Sequence, residues 1–286
     1  MLIIIDKPGQ LGNRLWAYTP FISDALKNNY KIVILHFYDY CEYFENLKRY
    51  NNVKFIKRKK IAYYYGLMVK VLDLMPKNVI KHIGINIIKD ENICVTKLNV
   101  KRNLTFIKGW SHIKPNNQIN NNMISKLFQP KCVSIQKVNE ILWKQRNEFD
   151  LIIGVHIRRG DYKKHRNGEY FYSHSTYANF MSQLSNQFNK RKKLTFLLCS
   201  NEEINTEIYS DFSVFQINDA NLIEDLYGLS KCDYIMGPPS TYSMWASFYG
   251  QKPLLIIKNP NLKLKIKDFD VIIAQNKFKN GNVFSQ

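Results

Sequence analysis

Short apolar runs and longer helical patterns alternate at the beginning of the chain. Residues 2–5 predict a buried strand, residues 15–27 repeat apolar positions with the period of a helix, and residues 31–35 predict a second strand. A Pro-Gly and a Gly-Asn dipeptide separate the first strand from the helix and predict a loop. This order of elements predicts a βαβ unit, whose helix amino terminus can hold an anion.

The same alternation returns after residue 150. Apolar runs predict strands at residues 151–156, 193–199, 214–217, 234–237 and 253–257. Helical patterns lie between them at residues 175–188, 222–231 and 241–249. The polar residues 145–150 separate the two halves, and we therefore predict two α/β domains, residues 1–148 and residues 149–286.

The segment of residues 48–102 is rich in basic side chains. Residues 57–60 read Lys-Arg-Lys-Lys and lead into the mostly apolar residues 61–75, which predict an amphipathic helix. Further basic residues border it at Lys70, Lys77 and Lys81. Two interpretations are open: the helix lies on an anionic membrane surface, or its apolar face packs on its own domain.

Composition is that of a folded globular protein with an excess of positive charge. The 286 residues are long enough for two domains, and 45% are hydrophobic and 23% charged. A formal net charge of +19 favours anionic partners such as nucleotide sugars, lipid pyrophosphates, anionic membranes or nucleic acids. The alternative explanation for part of that charge is a bias toward Lys, Asn, Ile, Tyr and Phe of the kind that an AT-rich genome produces.

The cysteines and the amino terminus indicate a cytoplasmic protein. The five cysteines lack the paired spacing of a zinc site, which favours a reducing compartment, and Cys199 and Cys232 are expected to be buried. Residues 1–5 are too short an apolar run for a signal peptide. Because no stretch approaches the ~20 apolar residues of a spanning helix, we expect a soluble protein, or one peripheral to the inner face of the plasma membrane.

The most informative chemistry follows the strand predicted at residues 151–156. That strand ends in His156, and the adjacent Arg158 and Arg159 precede Gly160 and Asp161. Only nine of the 42 basic residues are Arg, so two neighbouring guanidinium groups at a strand end indicate a bound anion. The alternative is a solvated arginine pair with Asp161 as its local counter-charge.

Three segments carry a resemblance to a known family. Residues 156–162, His-Ile-Arg-Arg-Gly-Asp-Tyr, resemble the signature of bacterial alpha-1,2-fucosyltransferases, glycosyltransferase family 11. Residues 9–15 resemble the family's opening Gly-x-Leu-Gly-Asn-Gln loop, and residues 237–246 resemble its late Ser-rich segment. Arg14 stands where the family commonly has Gln.

The resemblance implies a fold and a donor site. It implies the GT-B architecture, in which an acceptor-side domain and a GDP-sugar-binding domain, both Rossmann-like, face each other across a cleft. It also implies a metal-independent enzyme without a cofactor, in which Arg158 and Arg159 face the donor diphosphate and His156 braces the site. For His156 the alternative is a core histidine at a strand end.

Further donor contacts are expected at two helix starts. Ser240, Thr241 and Ser243 begin a helix, and such hydroxyls cap exposed amides whether or not a phosphate binds there. The resemblance adds the phosphate contact. Gly12 and Asn13 lie in the first predicted loop, where Gly permits close approach and Asn can bond sugar or phosphate, although such a turn needs no ligand.

Asp225 is the candidate for guanine recognition. In related fucosyltransferases an Asp next to the equivalent helix reads the guanine edge, and the resemblance transfers that role to Asp225. A carboxylate accepts two donors from guanine, N1–H and the 2-amino group, that adenine does not offer together. The alternative is an acidic residue favoured in the first turn of a helix.

A base must take the proton of the acceptor hydroxyl in an inverting transfer. Asp161, His165 and Glu169 all follow the arginine pair. Asp161 ranks first by its place in the motif and Glu169 second. The alternative role for Asp161 is to orient Arg158 or Arg159 through a salt bridge.

These features together lead to one expected function. We expect an inverting, metal-independent transfer of fucose from GDP-fucose to a hydroxyl of a glycan acceptor. The resemblance alone suggests an alpha-1,2 linkage, in surface-polysaccharide synthesis, with a lipid-linked acceptor as one hypothesis. The alternatives are another GDP-sugar, a protein Ser or Thr acceptor, or a basic protein that binds membrane or nucleic acid; the last is disfavoured because no nucleic-acid motif is present.

Overall fold

Two compact α/β units make up the chain. The computed structural model describes residues 1–89, 103–108, 119–188 and 192–284. The units are Met1–Lys131 and Cys132–Gln286, and each contains a five-stranded sheet in which all neighbouring strands are parallel. The predicted α/β fold class with two Rossmann-like domains is confirmed. Residues 90–102 of the basic segment lie outside the described residues.

Unit 1 places its first strand inside the sheet. Its strands are β1 (Leu2–Ile4), β2 (Ile32–Ile34), β3 (Val53–Phe55), β4 (Ile85–Ile88) and β5 (Leu104–Ile107). Its helices are α1 (Leu11–Asn28), α2 (Lys59–Asp73), α3 (Lys77–His82) and α4 (Asn121–Leu127). The sheet order is β3-β2-β1-β5-β4, so the strand order reverses beside β1. The predicted first βαβ unit is confirmed.

Helix α1 begins four residues earlier than predicted. It starts at Leu11, and nearly every side chain from there to Ala25 is buried. A helix that is buried on all faces has no polar stripe, so the periodic pattern does not mark its beginning. Gly12 and Asn13 consequently lie in the first turn of α1 and not in a loop.

The predicted boundary at residue 148 is displaced to Lys131/Cys132. Helix α5 (Cys132–Glu148) belongs to the second unit, where the Ser134 hydroxyl and the Lys137 ammonium both bind Glu224. Its buried side chains lie one turn apart, at Ser134, Val138 and Leu142. Because the buried stripe is so narrow and the rest of the segment is polar, the sequence of this helix looks like that of a linker.

Unit 2 contains the predicted second sheet. Its strands are β6 (Leu151–Ile157), β7 (Leu194–Ser200), β8 (Val214–Phe215), β9 (Tyr234–Gly237) and β10 (Leu254–Ile256). Its other helices are α6 (His174–Gln187), α7 (Leu222–Lys231) and α8 (Thr241–Gly250). A separate antiparallel pair, β11 (Ile272–Ala274) and β12 (Lys277–Phe278), follows. The predicted strands and helices of this unit are confirmed to within two residues at nearly every end.

The sheet of unit 2 has a switch point beside its central strand. The order is β10-β9-β6-β7-β8, so the chain adds strands on one side of β6 and then crosses to the other. Loops leaving the carboxyl ends of β6 and β9 therefore diverge and open a crevice, the usual ligand site of open parallel sheets. Arg158 follows β6 and Ser240 follows β9, which places both at this edge.

Candidate functional site

The loop after β6 turns sharply immediately beyond the two arginines. A Cβ atom on Gly160 would lie 2.5 Å from Nδ2 of Asn201, so a side chain here would displace the Asn201 amide from its present position. The Asn201 amide accepts a hydrogen bond from the Arg159 main-chain N–H (3.0 Å) and donates one to Asp161 (3.2 Å). Asn201 follows β7 and thereby ties the Arg158–Asp161 turn to the neighbouring strand.

Arg158 and Asp161 form an ion pair within this turn. Nη2 of Arg158 lies 2.8 Å from Oδ2 of Asp161, and the guanidinium carbon lies 5.6 Å from the centre of the Tyr162 ring. The Arg158 side chain is 15% exposed and the Asp161 side chain 48% exposed. With Arg158 on one oxygen and Asn201 on the other, Asp161 has the geometry of an orienting carboxylate.

Arg159 is held by three groups of the protein. Its Nε lies 2.5 Å from Oε1 of Glu202, its Nη1 donates to the Tyr172 carbonyl at 2.7 Å, and its guanidinium lies 4.4 Å from the centre of the Phe171 ring. Nε2 of His174 lies 3.6 Å from the same Glu202 oxygen. Sequence reasoning did not single out Glu202, although its place just beyond the end of β7, next to β6, is a usable signal.

His156 is a buried, neutral histidine at the end of β6. It is 3% exposed, and its burial, reinforced by the Arg158 charge, lowers its pKa to about 3. Nδ1 has no hydrogen-bond partner among the residues that the structure describes. A Cβ atom on Gly237 would lie 2.8 Å from the His156 carbonyl oxygen, so glycine permits the close packing of β9 on β6 here. His156 is therefore a core residue of the sheet, two residues before Arg158.

Tyr242 connects the ends of β6, α7 and α8. Its ring centre lies 5.1 Å from that of His156, and its hydroxyl donates to the Leu222 carbonyl at 2.6 Å. Burial raises its pKa, Asp225 adds to the increase, and Arg158 opposes it. Tyr242 thus lies within electrostatic reach of both candidate donor-binding groups. Its aromatic character alone did not distinguish it in the sequence.

The beginning of α8 is capped as the sequence predicts. Oγ of Ser240 accepts a hydrogen bond from the Tyr242 main-chain N–H at 3.2 Å. Ser243 is fully buried, and its hydroxyl donates to the Ser240 carbonyl. Thr241 is partly exposed at the first helical position. Of the three hydroxyls, that of Ser243 is engaged inside the helix, so its geometry supports a packing role.

Two adjacent carboxylates at the start of α7 have different environments. Glu224 completes a capping box with Asn221 and lies 2.8 Å from the Lys137 ammonium. Asp225 has no salt bridge within the described part of the chain. Burial raises the pKa of Asp225 to about 7, an effect that the Cys199 thiol opposes and Glu224 reinforces. A ligand that donates hydrogen bonds would compensate the Asp225 charge.

The other two base candidates lie farther along the loop. The His165 ring stacks on Tyr162 with 5.1 Å between ring centres, and Glu169 is exposed and hydrogen-bonds to the Tyr170 hydroxyl. Arg166 and Asn167 between them adopt positive φ angles of 48° and 56°. The backbone at these two positions is uncommon for residues with a side chain, which marks a tightly specified turn.

Gly12, Asn13 and Arg14 belong to unit 1. A Cβ atom on Gly9 would lie 2.5 Å from Nδ2 of Asn13, so Gly9 makes room for that amide. Arg14 donates to the Pro8 and His36 carbonyls and to Asp39 at 3.2, 3.0 and 2.8 Å. Its side chain is only 4% exposed. Arg14 therefore joins the loops after β1 and β2 and occupies its donors with protein acceptors.

One Asp-x-Asp sequence, a pattern typical of divalent-ion binding, occurs at residues 268–270. Asp268 accepts from the Lys265 main-chain N–H, and Asp270 accepts from the Val271 and Asn280 main-chain N–H groups. Both carboxylates thus stabilise local turns, near the amino-terminal end of β10 where Asp270 meets Leu254. Across the described ranges, no group of three or more His, Cys, Asp or Glu side chains is placed to hold a metal ion.

Among the helices in the described part of the chain, none combines the length and apolar character that a membrane crossing requires. Cys199 and Cys232 are buried as predicted.

Known structures with a similar fold include several fucosyltransferases. NodZ from Bradyrhizobium is 15% identical, with 91% of this chain and 96% of that chain covered and a TM-score of 0.57. A variant of Arabidopsis thaliana FUT1 in complex with GDP is 12% identical, with 99% and 76% covered and a TM-score of 0.60. POFUT1 in complex with GDP is 8% identical, with 88% and 94% covered and a TM-score of 0.51. At these identities the likeness concerns the fold, and it extends over both units.

Sequence comparison identifies the family. No curated protein sequence matches the chain. The pattern of residues that defines glycosyl transferase family 11, however, matches residues 78–279, well over half of the chain. That match includes the arginine turn, Asp225 and the start of α8. The chain belongs to glycosyl transferase family 11.

Proposed function

We propose that this protein transfers fucose from GDP-fucose to a hydroxyl group of a glycan acceptor, with inversion at the anomeric carbon. The observation that carries the proposal is the placement of the Arg158–Asp161 turn after β6 and of the capped start of α8 after β9, both at the switch point of one sheet. Family membership supports glycosyl transfer. The similar fold of NodZ soaked with GDP-fucose and of POFUT1 in complex with GDP-fucose supports the choice of donor.

The departing diphosphate would be stabilised by the arginine turn and the start of α8. Negative charge builds on the leaving group as the glycosidic bond breaks, and fixed donors aimed at that charge lower the barrier. Arg158 offers a guanidinium that is paired with Asp161, a carboxylate whose side chain is 48% exposed and readily rehydrated. The main-chain amides and dipole of α8 add a second anion-binding element. We propose that this arrangement needs no metal ion.

Guanine would be recognised by Asp225. A partly buried carboxylate with a raised pKa gains most from neutral N–H donors, and guanine presents two of them side by side. Adenine and uracil do not present the same pair. The guanine ring would thereby compensate the charge of Asp225, which has no salt bridge within the described part of the chain.

The acceptor proton would be taken by a carboxylate of the same loop. Because Asp161 is bonded to Arg158 and Asn201, its geometry favours an orienting role, and the exposed Glu169 becomes the stronger candidate for the base. Each of these roles is an inference from position and chemistry. The donor contacts of Gly12 and Asn13 stay a prediction of the family resemblance.

The acceptor and the cellular location rest on the sequence. An alpha-1,2 linkage, a surface-polysaccharide acceptor, lipid-linked or not, and a cytoplasmic location stay predictions of the family resemblance and the composition. A different GDP-sugar or a Ser or Thr acceptor would use the same site. No observation in the described residues favours nucleic-acid binding over these.

A thermal-shift comparison tests the donor assignment. GDP should raise the melting temperature measurably, whereas ADP and UDP should do so much less, because a ligand stabilises the folded state more the more tightly it binds to it. Equal shifts for the three nucleotides would remove the guanine assignment. Transfer from GDP-fucose should also continue in excess EDTA, and a complete loss that magnesium or manganese restores would contradict the metal-independent mechanism.

A further inference from the structure

Helix α2 of unit 1 carries apolar residues on two different faces. One face is formed by Ala62, Val69 and Leu72, which are buried in the core of unit 1 with Ile3 and Val33. This face accounts for the folding of the helix onto its own domain. This buried face alone is therefore enough to explain the amphipathic pattern of the sequence.

A second apolar face of α2 points to solvent. Tyr64, Leu67, Val71 and Leu74 follow one another at intervals of three, four and three residues, which keeps them on one side of a helix. We call these four residues the outer stripe. Their exposed fractions are 67%, 38%, 61% and 88%. None of the four belongs to the described core cluster that holds the opposite face of α2.

The outer stripe belongs to a wider apolar region. Of the fourteen exposed large hydrophobic residues in the described part of the chain, nine lie between residues 61 and 83. Single exposed apolar residues are ordinary, but their concentration in one short segment marks an interaction surface. The five outside the outer stripe are Ile61, Tyr63, Met68, Val79 and Ile83.

The charges around the outer stripe are almost all positive. Asp73 is the one acidic residue between residues 53 and 89, and its carboxylate is 2.6 Å from the Lys89 ammonium. Exposed basic residues flank the stripe at Lys57, Arg58, Lys59, Lys60, Lys70 and Lys81. An apolar stripe bordered by lysines and tyrosines fits the surface of an anionic bilayer. The apolar side chains would contact acyl chains, the lysines would contact headgroup phosphates, and the tyrosines would lie at the headgroup boundary.

We propose that unit 1 binds the surface of an anionic phospholipid membrane through the outer stripe. Helix α2 would lie parallel to the surface, with Val71 and Leu74 among the acyl chains and Lys59 and Lys60 on lipid phosphates. Its 15 residues are too few to span a bilayer, so the binding is peripheral. The proposed membrane binding does not depend on the proposed fucosyl transfer.

Vesicle sedimentation of the full chain tests this surface. The probes are vesicles of phosphatidylcholine alone and of phosphatidylcholine with about one quarter phosphatidylglycerol. Wild-type protein should bind the anionic vesicles and release them at high salt. The paired variants V71S/L74S and K59Q/K60Q should each bind about tenfold more weakly or worse, since each loses either buried apolar area or two phosphate contacts.

Matched controls lie in unit 2. Val133 and Trp143 are exposed to a similar extent, and Lys263 and Lys267 are exposed lysines outside the basic segment. The variants V133S/W143S and K263Q/K267Q should bind anionic vesicles as the wild type does. All four variants should keep the wild-type melting temperature and its increase with GDP, so a failed donor site and a failed membrane surface give separate results.

Several outcomes would overturn the proposal. These are no binding of the wild type to anionic vesicles, equal binding to both kinds of vesicle, or unchanged binding of the α2 variants. Sedimentation velocity without vesicles adds a further outcome: a dimer that V71S/L74S abolishes would assign the outer stripe to a second copy of the chain. Tighter, K59Q/K60Q-sensitive binding to a single-stranded oligonucleotide than to vesicles would assign the basic border to nucleic acid.

Discussion

Both units place arginine near the strand beside which the strand order reverses, yet the arginines serve different purposes. In unit 1 Arg14 lies in the first turn of the helix that follows β1, and its side chain is 4% exposed. Two carbonyls, the Asp39 carboxylate and the Tyr40 ring surround it. In unit 2 Arg158 and Arg159 follow β6 directly, with side chains that are 15% and 20% exposed.

The difference predicts that a ligand binds at the switch point of unit 2, where the arginine donors remain more accessible than Arg14. Arg14 is enclosed by acceptors that belong to the fold, so a phosphate would have to displace them in a buried place. Arg158 is paired with a carboxylate that is half in water, where an ion pair contributes little, and a diphosphate can compete for it. Arg159 lies between these two cases, since Glu202 and Tyr172 fix its direction.

The largest expected effect separates Arg158 from Arg14. Arg158→Ala should lower the single-turnover rate of fucosyl transfer about a hundredfold or more, about 2.7 kcal/mol, because a fixed donor to the leaving group is lost. The melting temperature should change little, since Asp161 becomes hydrated without its partner. Arg158→Lys should still lose at least tenfold, because an ammonium cannot make the bidentate contact. A near-normal rate for the Lys variant would show that Arg158 makes no bidentate contact with the donor diphosphate.

Asp161 and Glu169 give the next largest effect and decide which carboxylate is the base. Asp161→Asn should weaken GDP binding and slow transfer together, each by about tenfold, because the Arg158 guanidinium loses its orienting charge. Glu169→Gln should slow transfer while GDP affinity stays the same. Isothermal titration and single-turnover rates measure the two quantities. A loss of rate alone in Asp161→Asn would return the base role to Asp161.

Asp225→Asn should reduce GDP affinity about tenfold and remove the preference for GDP over ADP, because an amide cannot accept both guanine donors. With the pKa of Asp225 at about 7, wild-type GDP affinity should fall as pH decreases below 7, whereas the variant should respond little. Calorimetric titration between pH 5.5 and 8, roughly one unit or more on either side of that pKa, follows the effect. Parallel pH profiles for the two proteins would exclude Asp225 from the contact.

The same residue gives a stability signature in the absence of ligand. A carboxyl whose pKa is raised on folding holds its proton more tightly in the folded state, so its contribution to stability is complete below the unfolded pKa and is lost as pH rises through the folded value. Asp225→Asn should therefore be more stable than wild type at pH 8, and this advantage should disappear near pH 4. Chemical denaturation at the two pH values checks the sign.

Arg14→Lys should have the smallest effect on donor binding and a clear effect on folding. The substitution keeps the charge but loses part of a three-acceptor set, so we expect the free energy of unfolding to fall by about 2 kcal/mol. GDP affinity should stay within about twofold of the wild-type value. Denaturation and titration of the same preparation provide both numbers, and a selective loss of GDP binding would give Arg14 a donor contact after all.

From the sequence, the region of the candidate site could be predicted better than the side chains that support it. The arginine turn, Asp225 and the start of α8 carry local signals, and the structure places all of them at one edge of unit 2. Glu202 had only its place beyond a strand end as a signal, and Tyr242 had none. Their contacts join positions that are far apart in sequence, Glu202 with Arg159 and Tyr242 with His156, and depend on which strands are neighbours.

The same distinction applies to the whole chain. Local patterns determined the α/β class, most strands and helices of unit 2, and the family, because apolar periodicity and a short motif are properties of neighbouring residues. The tertiary structure decided that α5 belongs to unit 2, that Arg14 is enclosed while Arg158 is accessible, and that one face of α2 is left uncovered. Burial and pairing depend on what packs against a residue, and a single sequence does not record those partners.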